Sequence, residues 1–161
     1  MVMNGKSLLA LSAFALLIGC ECSKDATKTT NEAPIVQEDN QLASDTADFI
    51  KNAGDRSFFA FDKSSLSKEA EETLTKQAEW LKAHPNRKVL IEGHCDERGT
   101  REYNLGLGER RADAAAKFLI EHGVDGSRVR TISYGKDRPI DAQGDKETIY
   151  QMNRVAISVL E

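Results

Sequence analysis

Two oppositely charged residues, Asp96 and Arg111, stand fifteen positions apart in this chain of 161 residues. Asp96 follows the apolar run 89–91, where a loop is expected, and Arg111 lies inside a helical pattern. A helix advances about 100° per residue, so Asn104 and Arg111 share one face with Leu107 between them. A carboxylate and a guanidinium held close together can bind a zwitterion, the first taking an ammonium group and the second a carboxylate.

The same residues also admit purely structural interpretations. Asp96 and Arg111 could form a structural salt bridge, because ion-pair networks are common in folded proteins. The amide of Asn104 could orient a ligand or cap a helix, since it both donates and accepts hydrogen bonds. Asp62, which follows an aromatic run, fits an ordinary Asx turn. The residues alone leave these alternatives open.

Three other kinds of site are not supported by the residues. The segment 94–96 contains His, Cys and Asp, but the other two histidines, His84 and His122, have no spacing that completes a metal site. The segment 106–111 begins like a dinucleotide fingerprint, yet it lacks the third glycine and follows a loop. Nothing marks one of the acidic residues near Asp96 as the raised-pKa acid of a glycosidase pair. The residues therefore give no support for a metal site, a dinucleotide cofactor or a glycosidase centre.

The length and composition indicate one domain with more acidic than basic residues. The chain has 22 Lys and Arg residues against 26 Asp and Glu residues, a net charge of −4, and no block of basic residues. Nucleic acid is therefore not expected as a partner, because such binding depends on clustered cations. Of the three cysteines, Cys22 and Cys95 are expected to be free, since two distant cysteines make no disulfide framework.

The N-terminal residues predict an export signal with a lipid attachment site. Residues 8–18 form an apolar run that follows Lys6 and is too short to span a bilayer. The run ends in Leu-Ile-Gly and then Cys20, which resembles a bacterial lipobox, where the signal is cut before the cysteine and the cysteine is acylated. An ordinary secretory signal with an incidental cysteine is the alternative. Glu21 follows the cysteine, whereas Asp at that position tends to keep lipoproteins in the inner membrane, so the outer membrane is expected.

Three parts follow from this organisation. Residues 1–19 are predicted to be the signal peptide, residues 20–52 the lipidated cysteine with a flexible tether, and residues 53–161 the globular domain. The tether prediction rests on the polar composition of residues 21–52, which carry no sustained hydrophobic period. Residues 42–53 could form a short helix within it.

Strands and helices alternate through the globular part. The patterns predict strands at 57–61, 87–94, 128–134 and 154–160, and helices at 67–84 and 102–122. Ser67 is the predicted N-cap of the first helix, and Gly123 ends the second. Residues 135–152 are predicted to be a loop with one helical turn near 146–150. This order predicts an α+β fold in which a mixed four-stranded sheet has both helices on one face.

Several short motifs resemble those of one known family. Residues 92–112 resemble the signature of the OmpA-like peptidoglycan-binding domain. The matching residues are Gly93, His94, Cys95, Asp96, Gly99, Asn104, Leu107, Arg110, Arg111 and Ala112. The strings Asp96-Glu97-Arg98-Gly99-Thr100 and Ser133-Tyr134-Gly135-Lys136 narrow the resemblance to a lipoprotein branch in Gram-negative bacteria. The resemblance covers residues 56–161 and implies a βαβαββ two-layer sandwich. The chain departs from the family at Cys95, and at Val155, where a second arginine is usual and supports a surface contact or a strut under the pocket.

The resemblance also implies a function and a set of site residues. It implies a non-enzymatic outer-membrane lipoprotein, facing the periplasm, that binds the meso-diaminopimelate of the peptidoglycan stem peptide. Implied protein partners are TolB and other Tol proteins, which act in cell division and envelope integrity; a wall-binding lipoprotein without a Tol partner, or a wall-acting enzyme, is the alternative. The implied wall-binding residues are Phe61, Asp62, His94, Asp96, Arg98, Asn104, Leu107 and Arg111, with Cys20 as the lipidated residue.

Overall fold

The structure is a computed structural model that describes residues 35–161, with side chains described from residue 40. Its elements in chain order are α1 (Ile35–Asn52), β1 (Arg56–Phe58), α2 (Lys68–Ala83), β2 (Val89–His94), α3 (Arg101–Glu121), β3 (Val129–Gly135), α4 (Lys146–Asn153) and β4 (Val155–Leu160). A single 3₁₀ turn, Gly126–Arg128, precedes β3. The predicted signal peptide and the predicted lipid attachment site at Cys20 lie outside the described residues.

The four strands form one mixed sheet in the order β1-β4-β2-β3. Strand β4 runs antiparallel to both of its neighbours, whereas β2 and β3 are parallel and are joined through α3. A single hydrophobic core joins Leu74 and Leu81 of α2, Leu119 of α3 and Ile91 of β2, all of them fully buried. The predicted α+β sandwich, with the two main helices on one face of a four-stranded sheet, is confirmed.

Helices α2, α3 and α4 each begin after a side chain that accepts a hydrogen bond from at least one free backbone N–H group. Ser67 Oγ accepts from the N–H of Ala70 at 3.2 Å, as the sequence predicts. Thr100 caps α3, so the alternative in which Asn104 caps this helix is wrong. Asp145 caps α4, which continues to Asn153 where the sequence predicts only one helical turn. The loop is shorter than predicted because this cap starts a helix of eight residues.

Two glycines let α3 approach the sheet at backbone distance. A Cβ atom on Gly93 of β2 would lie 1.9 Å from the carbonyl oxygen of Gly108 in α3. A Cβ atom on Gly108 would lie 2.4 Å from Ser133 Oγ of β3. No side chain fits in either place, since such contacts are far inside van der Waals distance. Gly93 and Gly108 thus serve helix–sheet packing, which holds the polar face of α3 beside the end of β2.

The last part of the predicted tether is helical, in agreement with the short helix considered at 42–53 but over the longer range 35–52. It forms the helix α1, and Phe49 of α1 is 1% exposed, with its ring 5.1 Å from that of Trp80. Trp80 Nε1 donates to Asp48 Oδ2 at 2.7 Å, and Arg87 forms a 2.6 Å ion pair with Asp45. The C-terminal turns of α1 therefore pack against the domain, because Phe49 completes its core, and the folded part begins before the predicted boundary at residue 53. None of the helices within residues 35–161 has the length and apolarity needed to cross a membrane.

Candidate functional site

A cavity of about 210 Å³ lies where β2 ends and α3 begins. It is lined by seven of the eight predicted wall-binding residues, namely Phe61, Asp62, Asp96, Arg98, Asn104, Leu107 and Arg111. Cys95, Gly99 and Tyr103 complete its lining. The loop after β1 and the loop after β2 form its mouth, so the fold brings together residues that are up to fifty positions apart.

Asp96 is ion-paired with two arginines, neither of which is Arg111. Arg98 donates to it from Nη2 at 2.6 Å and from Nε at 3.2 Å, and Arg154 Nη1 lies 3.5 Å away. The described residues include no ion pair between Asp96 and Arg111, so a direct structural salt bridge between them is not formed. Burial by itself raises the pKa of Asp96, but the bonds and charge of Arg98 outweigh it and bring the pKa below its ordinary value. The buried carboxylate is therefore ionised.

Arg111 is almost entirely buried, with 1% of its surface exposed, and it joins two segments of backbone through three carbonyl groups. Its Nε donates to Lys63 O at 2.9 Å, its Nη1 to His94 O at 2.8 Å, and its Nη2 to Ala60 O at 3.2 Å. A fourth contact runs from Nη1 to Cys95 Sγ at 3.4 Å. Since a guanidinium has five N–H donors, one on Nη2 has no acceptor among the described residues. Burial lowers the pKa of Arg111.

Arg98 is the most exposed of the charged side chains around Asp96. Its side chain is 36% exposed, against 6% for the side chain of Asp96. Its guanidinium lies 4.0 Å from the ring centre of Phe61 and 4.4 Å from that of Tyr150, which are cation–π distances. Asn104 Nδ2 donates to the carbonyl of Arg98 at 2.7 Å. Asn104 therefore fixes the backbone of this loop, while the side chain of Arg98 remains accessible.

Two exposed aromatic rings stand at the mouth of the cavity. Phe61 is 57% exposed and Tyr103 is 48% exposed, and the hydroxyl of Tyr103 donates to Asp62 Oδ1. Asp62 has a φ of 56°, in the left-handed region that residues other than glycine seldom adopt. Backbone strain of this kind is concentrated at functional sites. The predicted turn at Asp62 is therefore held in place by a partner across the cavity.

His94 is the predicted site residue whose side chain does not line the cavity. Its Nδ1 lies 3.0 Å from Arg138 O, while Nε2 lies 3.6 Å from Glu92 and has no hydrogen-bond partner. Only the carbonyl of His94 contributes to the site, as an acceptor for Arg111. Burial lowers the pKa of this imidazole, so the neutral form is favoured. The reason for its placement is the alternation of β2, which turns successive side chains to opposite faces of the sheet.

Cys95 is a free, buried thiol between the cavity and the sheet. Its Sγ donates to Asn104 O at 3.4 Å, and burial raises the pKa of the thiol. A protonated thiol is a weak nucleophile, so this position supplies packing and a weak hydrogen bond rather than reactivity. The described residues contain no cluster of His, Cys, Asp and Glu that could hold a metal ion.

The sequence patterns missed two residues that shape the site. Arg154 is 7% exposed and donates from Nε to Phe59 O at 3.2 Å. Its Nη1 also lies 3.5 Å from Asp96 Oδ2, so it forms an ion pair with that carboxylate. Tyr103 precedes Asn104 in α3 and closes the cavity from the opposite side. The Asn-Arg pair at 153–154 was the available signal for Arg154. Val155 is fully buried in β4 opposite Phe58, so it makes a core contact rather than a surface one.

The comparisons with known proteins agree with this fold and site. The OmpA family model matches residues 58–152, which include every residue that lines the cavity. The chain belongs to the OmpA family. Within the OmpA family, a peptidoglycan-associated lipoprotein of Agrobacterium fabrum is 42% identical over 154 residues, which are 96% of this chain and 86% of that protein. One from Haemophilus influenzae is 37% identical over 152 residues, 94% of this chain and 95% of that protein.

Solved structures place the domain in the same OmpA-family fold. The crystal structure of the peptidoglycan-associated lipoprotein from Burkholderia pseudomallei has a TM-score of 0.63 at 39% identity, covering 66% of this chain and 90% of that one. The C-terminal domain of Helicobacter pylori MotB has a TM-score of 0.58 at 19% identity, covering 65% and 81%, and shows the fold alone. The sequence motifs predicted a resemblance to a lipoprotein branch of this family. The similarity of the chain to peptidoglycan-associated lipoproteins confirms that prediction.

Proposed function

We propose that this chain is a non-enzymatic outer-membrane lipoprotein that binds peptidoglycan non-covalently. The observation that carries the proposal is the cavity, where an ionised, buried Asp96 and two guanidiniums stand together in an OmpA-family domain. The names of the relatives, peptidoglycan-associated lipoproteins, support both the wall ligand and the lipid anchor. The ligand we propose for the cavity is the meso-diaminopimelate of the stem peptide.

The charges suggest how this zwitterion binds. In the free protein Arg98 fills both oxygens of Asp96, so an incoming ammonium group competes with Arg98 for the carboxylate. Arg98 can yield because its side chain is partly exposed, whereas Arg111 is buried and held by three carbonyls. The ligand carboxylate then meets the released guanidinium of Arg98 and the remaining N–H of Arg111. Each new charge-assisted bond contributes about 1.5–3 kcal/mol, offset by the ordering of the ligand and the loss of the Asp96–Arg98 bond.

The selectivity of the cavity provides the test. A lysine stem ends in an ammonium group alone and leaves the guanidiniums without a carboxylate, and such unpaired buried charges are costly. We expect the diaminopimelate stem peptide to bind at least ~10-fold more tightly than the lysine stem peptide, since ~1.4 kcal/mol suffices for that ratio. Calorimetry with the two synthetic peptides measures it directly. Equal affinities would mean that the charged residues are structural and that the wall is held elsewhere.

Substitutions at the cavity locate the binding. Asp96→Asn keeps the shape of the side chain but removes its charge, and we expect it to lose retention on purified sacculi. Arg110→Ala removes an exposed arginine next in sequence to Arg111 and serves as the matched control. Retention of the Asp96→Asn protein at the level of the control would refute the assignment. Release of muropeptides by the pure protein would instead support the alternative of a wall-acting enzyme.

The anchor and the protein partner are separate parts of the proposal. Acylation of Cys20 is tested by labelling with a radioactive fatty acid, which the Cys20→Ala chain should not incorporate. Label in that variant equal to wild type would exclude Cys20 as the attachment site. For TolB and the Tol-Pal system the support is the resemblance of the chain to its relatives, and co-purification with TolB is the measurement that decides it.

A further inference from the structure

The face of the sheet that is turned away from α2 and α3 is largely apolar. It carries three of the exposed large apolar side chains of the described residues, Phe58 of β1, Ile132 of β3 and Val159 of β4, with exposures of 37%, 39% and 39%. The half-buried side chains of Leu90 and Ile157 lie between them. A sheet face in contact with water normally carries polar residues at such positions, so this surface, here called the open face, has the composition of an interface.

The strand register places two charged residues on the open face. Glu92 of β2 pairs with Ile132 of β3, and Leu90 pairs with Arg130. Successive side chains of a strand point to opposite faces of the sheet, and Ile91, between Leu90 and Glu92, is buried in the core under the helices. Glu92 therefore lies near the centre of the open face, and Arg130 lies diagonally from it on the neighbouring strand.

The carboxylate of Glu92 accepts no hydrogen bond from the described residues. Its Oε2 lies 3.6 Å from His94 Nε2, which is beyond hydrogen-bond distance, and that nitrogen also has no partner. Nδ1 of His94 faces the carbonyl of Arg138 at 3.0 Å and donates to it, so Nε2 of the neutral ring is an acceptor as well. Two acceptors thus face each other, and the carboxylate is best satisfied by a charged donor such as a guanidinium.

Arg130 carries a guanidinium on the same face. Its side chain is 65% exposed, and among the described residues it is ion-paired with Glu161 at 3.4 Å, a residue at the solvent-exposed end of β4. An acid and a base on neighbouring strands of one face make that face complementary to itself. A two-fold axis that lies between two such faces and crosses midway between Glu92 and Arg130 puts Arg130 of each copy over Glu92 of the other. The same axis passes close to Leu90 and Ile132, so each of these side chains meets its own equivalent.

We propose that two copies of this chain pack through their open faces and form a symmetric dimer with two reciprocal Glu92–Arg130 ion pairs. A second copy is the occupant because the open face supplies both the acceptor and the donor that its centre requires. Sheets packed face to face stand about 10 Å apart, and the exposed aliphatic side chains fill that layer. The lining of the cavity includes none of the residues of the open face, so the dimer is independent of the proposed function.

Exchange of the two charges tests the reciprocal ion pairs. The full-length chain is studied by sedimentation equilibrium in density-matched detergent, with micelles in excess so that two chains do not share one micelle. Glu92→Arg alone and Arg130→Glu alone each place like charges opposite each other, and each should raise the dissociation constant of the dimer at least ~10-fold. The combined variant restores opposite charges across the axis and should dimerise nearly as well as wild type. A combined variant that is folded by circular dichroism but stays monomeric would overturn the proposal.

A pair of isoleucines tests the apolar part of the open face. Ile132 and Ile120 have similar exposures, 39% and 45%, but Ile120 belongs to α3 rather than to the sheet. Ile132→Asp buries a carboxylate at the axis and should raise the dissociation constant at least ~10-fold, whereas Ile120→Asp should leave it unchanged. A wild-type chain that is monomeric from micromolar to millimolar concentration, or a dimer that responds equally to both variants, would refute the proposal. Loss of stem-peptide binding would bear on the proposed function alone.

Discussion

Replacement of Arg111 by alanine tests whether this residue supports the fold as well as the ligand. The guanidinium donates to the carbonyls of Lys63, His94 and Ala60, which belong to the turn after β1 and the end of β2. Removal leaves three acceptors without their charged donor and opens a hole beside α3. Arg111→Ala is therefore expected to unfold more readily, and not only to lose the ligand.

The magnitude follows from the three bonds. A hydrogen bond to a charged group contributes about 1.5–3 kcal/mol net, so three would suggest a loss of roughly 4.5–9 kcal/mol. Water entering from the adjacent cavity can hydrate some of the exposed carbonyls, and burial of the lone guanidinium was itself unfavourable, as its lowered pKa indicates. We therefore expect a net loss of about 3–5 kcal/mol, which is a large part of the 5–15 kcal/mol typical of a domain.

Urea unfolding followed by circular dichroism measures this change. A loss of that size should lower the midpoint by more than ~1 M, given m-values of about 1–3 kcal/mol/M for small proteins. Arg110→Ala is the control, since the neighbouring arginine is exposed and such substitutions stay within about 0.5 kcal/mol. If Arg111→Ala changed the midpoint no more than Arg110→Ala did, the description of Arg111 as a structural support would be wrong.

Three further predictions concern residues that hold the site in place. Gly93→Ala should lower the free energy of unfolding by about 1–3 kcal/mol or more, because its Cβ would meet the backbone of Gly108 at 1.9 Å. Gly106→Ala should be neutral or stabilising, since its Cβ would meet only the end of a side chain at 3.4 Å. Shifts of the unfolding midpoint with the same sign for both variants would contradict this. Asn104→Ala should cost about 1–3 kcal/mol and reduce retention on sacculi, since it frees the carbonyl of Arg98; unchanged unfolding and retention would refute the bracing role. The pKa of His94 in the folded protein lies below its ordinary value of 6.5, so the unfolded state binds more protons as the pH falls. The contribution of the neutral, buried His94 to stability is therefore fully present above pH 6.5 and is lost as the pH falls through the folded-state pKa. His94→Asn should weaken the dependence of the urea midpoint on pH between pH 8 and 5, and an identical dependence would exclude His94 as its source.

The sequence alone predicted the features that depend on neighbours along the chain. The cap at Ser67 and the end of α3 near Gly123 follow from local hydrogen bonding and backbone freedom, and the strands follow from apolar periodicity. The motif around Asp96 named seven residues that the fold does bring to one cavity. Local rules and motifs succeed here because each depends on residue types at a fixed spacing.

Only the tertiary structure decided which charged groups meet. Arg98 and Arg154 both pair with Asp96. Arg154 immediately precedes β4 and is 58 positions from Asp96 in the sequence, a separation at which no rule of residue spacing predicts contact. Arg111 points to backbone carbonyls instead, because the glycine contact between α3 and β2 brings it within reach of the end of β2. The packing of Phe49 against Trp80 likewise turned part of a polar, tether-like segment into a helix of the domain. These outcomes depend on distances between elements, which are set when the core closes and are not encoded in any one stretch of residues.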